Sequence, residues 1–408
     1  MRHAPARRDT AGDAPPARTG RRLGASAAVA LLALTACGGS GGSGGQDGRG
    51  SGGRSDRITI TPAAHSAPVP TNRKVTIGAG NGHLTTVKVT ADGPGDLRGT
   101  LSKDRNTWTS SEPLAPGVTY TVRARATGAD GKPLTRNATI TTAEAPKSET
   151  FVGEYHPDKG TTVGVAMPVS IVFDKPIHDR AAVERHLRVT STPAVQGAWK
   201  WMTDRDGRDR VDFRPAKFWK PGTDVTLRMN LDGVRAGGLY GTQNRVVNFR
   251  VGDAVTTTVD TATRTMTVLD NGRKLRTLPI SAGKKGFETW NGTMVVLEKT
   301  PTIRMNSRTV RIFGPEAYNL GSVKWDVRLT PSGTFVHAAP WNEGKFGRIN
   351  SSHGCIGMST VDAEWFYSHV HPGDPVTVVN SKDTVAANNG YGDWNVDWAT
   401  WRSGGSLP

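Results

Sequence analysis

The sequence predicts a mainly β protein built from two β-sandwich modules and a third β-rich module with one short helix. Two observations predict this fold. Glycine (49) and proline (25) recur between short runs of alternating polar and apolar residues, the pattern of strands separated by turns. A chain of 408 residues is also long enough for several domains of roughly 100–200 residues each.

The first residues predict an export signal and a lipid anchor. An apolar run, residues 23–36, follows Arg21-Arg22 and ends at Cys37. This run is shorter than the ~20 residues of a membrane-spanning helix and suits the ~7–15 residues of a signal-peptide core. Residues 34–37 (LTAC) resemble the bacterial lipobox, so we expect residues 1–36 to be removed and Cys37 to be lipidated. The alternative is an ordinary signal peptide followed by a buried cysteine.

The sequence predicts a flexible tether and two spacer domains in the middle of the chain. Residues 37–56 contain the lipidation cysteine and a Gly/Ser-rich flexible linker. Residues 57–146 and 147–253 each carry short alternating runs, such as Val169–Phe173, at the intervals of a β-sandwich. We predict two immunoglobulin-like domains, because neither module contains a set of side chains suited to catalysis.

The third module, residues 254–381, combines strands with one helix. Asp270-Asn271-Gly272 between two alternating runs predicts a hairpin. Ser359 and Asp362 form a capping-box pattern, which predicts a helix ahead of the final strand. Residues 382–408 hold three tryptophans, Trp394, Trp398 and Trp401, and we expect this tail to pack on the third module.

The formal net charge is +16, which favours polyanionic partners in general: nucleic acid, anionic lipid or acidic wall polymers. A basic helix with interleaved aromatic residues, which would select nucleic acid, is not evident in the sequence. We therefore expect no nucleic-acid partner.

A reactive cysteine is the strongest chemical feature. Cys355 lies between a strand-like run that ends at His337 and the capped helix. A cysteine nucleophile needs a base, donors for the developing oxyanion and a rigid scaffold. Gly354 and Cys355 on a turn can present two backbone N–H groups, and His337 and His353 are both candidate bases. These residues alone leave a buried structural cysteine as an equal alternative.

His337 followed by Ser352-His353-Gly354-Cys355 resembles the signature of the YkuD-type L,D-transpeptidases. The segments 365–367, 373–374 and 378–380 are also similar to that family, and the Trp-rich tail resembles that of its actinobacterial members. The resemblance covers residues 254–408. It implies a YkuD-fold catalytic domain, with Cys355 as nucleophile and His337 as proton acceptor and donor.

The resemblance implies a specific reaction. Cys355 would attack a donor tetrapeptide stem of peptidoglycan and expel D-Ala. The side-chain amine of an acceptor diamino acid would then resolve the thioester into a 3-3 cross-link. No metal or cofactor is implied, and carbapenems are the expected inhibitors. The enzyme would be a monomer, anchored by lipid at the extracytoplasmic face of the membrane and reaching into the wall.

The same resemblance implies further site residues. Ser352, His353 and Gly354 would shape the turn and the oxyanion site. Five residues would contact substrate: Met305, Tyr318, Ser332, Gly333 and Gly357. Met305 would do so as part of a lid. Relatives often carry Asn or Arg where this chain has Gly357. Some also have Ser where this chain has Ala338, so a backbone carbonyl or another residue must orient His337.

Three other interpretations fit the sequence less well. Sortases require an Arg shortly after the cysteine strand, whereas the first Arg after Cys355 is Arg402. Papain-like and NlpC-type peptidases place the cysteine before the histidine, the reverse of the order here. A wall-binding lipoprotein or adhesin with an inactive catalytic-like domain explains the spacers, but it leaves the Ser-His-Gly-Cys turn without a use.

Overall fold

The computed structural model describes residues 57–63, 68–71, 73–91 and 95–407, so the predicted signal segment and Cys37 lie outside the described part of the chain. Within that part, strands dominate and three groups of sheets follow one another along the chain. The predicted mainly β fold is confirmed. Two five-residue helices, α1 and α3 below, were not predicted. No helix among the described residues is both long and apolar enough to cross a membrane.

The first sandwich packs two antiparallel sheets around one apolar core. Their strand orders are β1-β2-β5-β4 and β3-β6-β7. In β6 the side chains of Tyr120, Val122, Ala124 and Ala126 face the core while the residues between them are exposed, as alternation predicts. The seven strands are β1 (Thr59–Thr61), β2 (Thr76–Gly78), β3 (His83–Ala91), β4 (Gly99–Leu101), β5 (Thr107–Ser110), β6 (Thr119–Thr127) and β7 (Pro133–Thr141).

The second sandwich has sheets ordered β10-β18-β15-β12 and β13-β14-β11-β9, with a small third sheet β16-β17-β8 at one end. Its core holds several aromatic side chains, Trp219 among them. Its elements are β8 (Thr150–Phe151), β9 (Gly153–His156), β10 (Thr162–Val163), β11 (Val169–Phe173), α1 (Arg180–Glu184), β12 (Leu187–Thr192), β13 (Gly197–Thr203), β14 (Asp209–Pro215), β15 (Asp224–Asn230), β16 (Arg235–Ala236), β17 (Leu239–Gly241) and β18 (Asn244–Val251), after a 3-10 helix at Lys147–Glu149.

The third domain has a five-stranded sheet ordered β21-β20-β19-β27-β22 and a four-stranded sheet ordered β23-β24-β25-β26. Its elements are β19 (Val255–Asp260), β20 (Thr265–Asp270), β21 (Arg273–Pro279), β22 (Gly292–Val295), β23 (Glu298–Asn306), β24 (Asn319–Arg328), β25 (Phe335–Ala338), β26 (Ile356–Met358), α2 (Thr360–His369), β27 (Pro375–Val379) and α3 (Trp398–Arg402), with 3-10 helices at Ser307–Val310, Gly314–Glu316, Pro340–Asn342 and Gly392–Asn395.

Local sequence signals set two of these elements. Asn271 and Gly272 have φ values of 48° and 81°, the left-handed pair that a two-residue hairpin turn requires between β20 and β21. Ser359 caps α2, because its Oγ accepts the Asp362 N–H at 3.1 Å. The predicted hairpin and the predicted helix start are both confirmed.

The four-stranded sheet separates the main core from a smaller apolar cluster. Val327 of β24, Val336 of β25 and Ile356 of β26 face the main core, on which α2 also packs. On the other face, Phe335 packs with Cys355 in the smaller cluster. This second face carries the candidate site.

The Trp-rich tail differs from the prediction in where its indoles pack. Trp394 Nε1 donates to the Ala166 carbonyl at 2.8 Å and Trp401 Nε1 to the Ala198 carbonyl at 3.0 Å, both in the second sandwich. The guanidinium of Arg214, from β14, lies 4.5–5.5 Å from the ring centres of Trp394, Trp398 and Trp401. A buried cation among three aromatic rings explains the preference, since the ring faces attract it.

The tail also contacts the third domain. Asn395 Oδ1 accepts the Thr293 N–H at 2.7 Å, and Asn395 Nδ2 donates to the Thr293 carbonyl at 2.7 Å. The tail therefore joins the second sandwich to the third domain instead of covering the third domain alone.

Candidate active site

Two adjacent strands bring the predicted nucleophile and base to one cavity. β25 and β26 pair in parallel with His337 opposite Gly357, and Cys355 immediately precedes β26. His337 and Cys355 are 5% and 8% exposed. Both line a cavity of about 260 Å³.

The backbone fixes the orientation of His337. Its Nδ1 lies 2.7 Å from the Ala338 carbonyl oxygen, which can only accept, so Nδ1 carries the proton and Nε2 is left as an acceptor. Burial lowers the pKa of His337, and the bond to the Ala338 carbonyl offsets part of that change. The neutral imidazole therefore has the tautomer that a general base needs. The backbone carbonyl of Ala338 is therefore the group that orients the His337 ring.

Burial has the opposite effect on the thiol. It raises the pKa of Cys355 to about 11, the Phe335 N–H offsets part of the rise, and the nearby Asp326 carboxyl adds to it. Cys355 Sγ lies 3.5 Å from the Gly333 carbonyl oxygen, on the loop before β25. At neutral pH the resting pair is thus a thiol and a neutral imidazole, so the thiol proton must transfer during attack.

Ser352 shapes the turn before Cys355. Its Oγ donates to the Cys355 carbonyl at 2.6 Å and accepts the Gly354 N–H at 3.1 Å. Gly354 has a φ of 113°, a conformation that disfavours other residues. Ser352 Oγ already accepts the Gly354 N–H. Of the two predicted oxyanion donors, the Gly354 and Cys355 N–H groups, the first is therefore occupied in this state.

His353 points to the segment between β23 and β24, residues 307–318, which we call the lid. Its Nε2 lies 2.6 Å from Glu316 Oε2, and Lys284 Nζ lies 2.6 Å from the same oxygen. The His353 ring also contacts the rings of Phe287 and Tyr318, with centres 4.8 and 5.3 Å away. The Lys284 and His353 hydrogen bonds lower the pKa of Glu316, so it stays ionised at neutral pH. His353 therefore ties the turn to the lid.

The lid, residues 307–318, lies between β23 and β24, and its Tyr318 lines the same cavity as Cys355. Met305, expected as part of a lid, lies just before it on β23. A second cavity, of about 230 Å³, lies on the Gly333 side of the thiol. Met305, Tyr318 and Cys355 line both cavities. Cys355 thus borders two cavities.

The other predicted contact residues surround the same space. Gly333 lines the second cavity and Gly357 the first, while Ser332 lies beside Gly333 on the loop before β25. A Cβ at Gly357 would meet the Ala339 Cβ at 2.9 Å, so a side chain there would require a local shift. Burial raises the pKa of Tyr318 to about 12 and the nearby thiolate adds to this, so Tyr318 can act as a neutral donor.

The sequence did not predict a role for four residues near the site: Lys284, Glu316, Asp326 and Asn389. Asp326 is 1% exposed within β24, and neither carboxyl oxygen has a hydrogen bond of regular geometry to a described residue. Its only sequence signal is a carboxylate inside an alternating strand. The other three act through partners far away in the chain, which leave no local pattern.

Comparison with known proteins places this geometry in a family. A model described as the L,D-transpeptidase catalytic domain (YkuD) matches residues 255–378, and a bacterial immunoglobulin domain model matches residues 66–235. The chain is 37% identical over 352 residues to L,D-transpeptidase 2 of Mycobacterium tuberculosis, covering 85% of this chain and 84% of that protein. The chain belongs to the L,D-transpeptidase family.

Further L,D-transpeptidases are similar over smaller or comparable spans. L,D-transpeptidase 5 of M. tuberculosis is 34% identical over 357 residues, which is 86% of this chain and 77% of that protein. A solved structure of an L,D-transpeptidase in complex with imipenem is 35% identical, with a TM-score of 0.49 over 57% of this chain and 99% of that one. As a member of this family, the chain is an acyltransferase-type enzyme.

Proposed function

We propose that this L,D-transpeptidase cross-links peptidoglycan stem peptides with Cys355 as nucleophile and His337 as general base and acid. The observation that carries the assignment is a buried thiol and an imidazole with its Nε2 free, both lining one cavity. The Cys355 proton passes to His337 Nε2 as sulfur bonds to the carbonyl carbon between the diamino acid and D-Ala. Nε2 then protonates the departing amine, D-Ala leaves, and a thioester remains.

The second half-reaction reverses the proton path. The side-chain amine of an acceptor stem attacks the thioester, His337 accepts a proton from that amine and returns one to the Cys355 sulfur. One peptide bond replaces another, so the acyl-enzyme conserves the free energy of the first bond. Two cavities that meet at Cys355 suit this sequence, because one can hold the acyl group while the other admits the acceptor.

Acylation of variants tests the assignment. We expect His337→Ala to lose about as much activity as Cys355→Ala, and the double variant to lose little more, since losses within one catalytic unit are not additive. The readouts are D-Ala released from a donor tetrapeptide and the mass of the protein after exposure to a carbapenem. If His337→Ala is acylated at the wild-type rate across a pH series, His337 is not the base. If carbapenem mass appears on Cys355→Ala, Cys355 is not the nucleophile.

We also propose that Cys37 carries lipid and holds a monomeric enzyme at the extracytoplasmic face of the membrane. The support is the short apolar run ending in a lipobox-like sequence, followed by a Gly/Ser tether. Two acyl chains anchor a protein firmly where one does not. Cys37→Ala should therefore appear in the medium, and its retention in the detergent phase would contradict the anchor.

A further inference from the structure

The loop that touches the Cys355 sulfur is held from outside the catalytic sheets. This loop, residues 329–334, joins β24 to β25, and its Gly333 carbonyl oxygen is the atom 3.5 Å from Cys355 Sγ. Inside the loop, Thr330 Oγ1 accepts the Thr334 N–H at 3.0 Å and lies 3.0 Å from Ser332 Oγ. The loop is therefore compact, and its placement depends on what grips Ser332.

Asn389, from the tail, provides that grip. Its Nδ2 donates to Ser332 Oγ at 2.8 Å, and its Oδ1 accepts the Ser332 N–H at 3.3 Å. Asn389 is only 6% exposed, so these bonds form in a place where loss of either partner is costly. Next to it, Gly390 lies so close to Pro331 and the Leu329 carbonyl that an added Cβ would approach them to 3.2 and 3.3 Å.

The second sandwich in turn holds Asn389 in place. Arg210, on β14, donates from Nη1 to the Gly390 carbonyl at 3.0 Å. Its Nε lies 2.9 and 2.8 Å from the two carboxyl oxygens of Asp212, and its Nη2 lies 3.4 Å from Asp393 Oδ1. Arg210 is 5% exposed and its guanidinium sits over the Tyr391 ring. A buried, ion-paired arginine is a rigid support for a backbone carbonyl.

These contacts form one continuous path: Arg210, the Gly390 carbonyl, Asn389, Ser332, the Gly333 carbonyl and the Cys355 sulfur. We propose that Asn389 is a positioning residue for acylation, which sets the 329–334 loop and the donor peptide beside it, and that Arg210 lets the second sandwich act on the reaction through Asn389. The proposal rests on the proposed function. It assigns the second sandwich a role in the acylation step in addition to that of a spacer.

The test compares full-length variants in single-turnover acylation by a donor tetrapeptide, with the limiting rate and the half-saturating concentration fitted separately. Asn389→Leu keeps the approximate size and removes both bonds. We expect its limiting rate to fall about 10- to 100-fold, the loss that an error of about 1 Å in placement can cause. Alkylation by iodoacetamide, which needs no loop, should hardly change. Asn389→Asp keeps an acceptor for the Ser332 N–H and O–H, so it should restore most of the rate.

Asn388→Leu is the matched control. Asn388 also reaches the second sandwich, where its Nδ2 donates to the Thr203 carbonyl at 3.1 Å, but it is half-buried and its side chain bonds away from the loop. It should acylate as the wild type does. A wild-type limiting rate in Asn389→Leu, or equal losses in Asn388→Leu and Asn389→Leu, would overturn the proposal.

A second measurement covers the case in which Asn389→Leu does not fold. Ser332→Ala removes the partner hydroxyl from a half-buried loop, and in that background the effect of Asn389→Ala on the limiting rate should shrink. An undiminished effect overturns the proposal. If the wild type itself releases no D-Ala, the proposed function fails first; if it does and Asn389 proves irrelevant, only this inference fails.

Discussion

At the residue scale, burial moves the pKa values of the proposed nucleophile and the proposed base in opposite directions. It raises the pKa of the Cys355 thiol to about 11 and lowers the pKa of His337. Many reactive cysteines instead hold a thiolate ready beside a cation or a helix N-terminus. Here both groups rest uncharged, so a carbonyl held correctly against Sγ is needed before the proton moves. Selectivity for a well-placed donor over a small electrophile follows from this.

Asp326, a buried carboxyl of β24 that raises the pKa of Cys355, provides a pH-dependent test. Burial raises the pKa of this carboxyl to about 7, with Arg328 and the Ile303 N–H offsetting part of the rise, against a reference value of 3.8. Between those values the folded state binds more protons, so the contribution of Asp326 to stability falls as pH rises from 3.8 to about 7 and stays low above it. Asp326→Asn should thus raise the melting temperature at pH ~8 and leave it nearly unchanged at pH ~4.

Thermal denaturation of wild type and variant at both pH values measures this effect. Asp206→Asn, in an exposed hairpin turn of the second sandwich, is the control and should shift neither midpoint. The variant also lacks a charge that raises the pKa of Cys355, so its alkylation should begin at lower pH. An equal change in melting temperature at both pH values would refute the account of Asp326.

The lid borders both cavities at Cys355 through Tyr318. Glu316 lies in the 3-10 helix Gly314–Glu316 and binds both Lys284 and the turn residue His353. These contacts are partly exposed, so each contributes little to holding the lid in place. Its closure and the shape of the catalytic turn are coupled through one carboxylate.

Glu316→Ala should loosen the lid. We expect iodoacetamide to alkylate Cys355 several-fold faster in this variant, because the buried thiol is exposed more often, and the half-saturating donor concentration to rise. Alkylation rates and acylation kinetics measure the two effects. Glu364→Ala, on the exposed face of α2, should leave both unchanged. A slower alkylation in Glu316→Ala would mean that Glu316 does not hold the lid closed.

Elements with local causes could be predicted from the sequence, whereas links between elements could not. The hairpin at Asn271-Gly272 and the cap at Ser359 follow from backbone preferences within a few residues. The resemblance gave the positions of His337 and Cys355. Nothing near Glu316 or Asn389 predicts His353 or Ser332 as partners, because each contact joins segments brought together only by the folded sheets.

The second sandwich and the third domain behave as one unit at the scale of the whole molecule. Arg210 and Arg214 of β14 both contact the tail. Arg210 donates to the Gly390 carbonyl and Arg214 to the Val396 carbonyl, and the Arg214 guanidinium also lies against three indole rings. The backbone adds to this joint, since the Gly164 N–H donates to the Pro372 carbonyl and the Ala166 N–H to the Gly373 carbonyl, both at 2.9 Å. The first sandwich lacks such partners in the tail among the described residues.

A fragment of residues 57–252 tests this division. We expect it to fold without transferase activity, with the first sandwich melting as it does in the full chain. The second sandwich should melt at lower temperature, because Arg210 and Arg214 lose their partners in the tail and the surface that the tail covers becomes exposed. Calorimetry of fragment and full chain measures both transitions. Transpeptidation by the fragment, or an unshifted second transition, would contradict the expectation.

The tail contacts have a consequence for the timing of biogenesis. The Gly390 carbonyl accepts a hydrogen bond from Arg210, 180 positions earlier, so β14 leaves the ribosome well before its partner does. The loop beside Cys355 likewise waits for Asn389, synthesised 57 residues after Ser332. A chain synthesised only to residue 388 therefore contains Cys355 but lacks Asn389, which supports the loop. Nascent chains and products clipped before residue 389 are accordingly expected to acylate slowly, so full activity requires a completed tail.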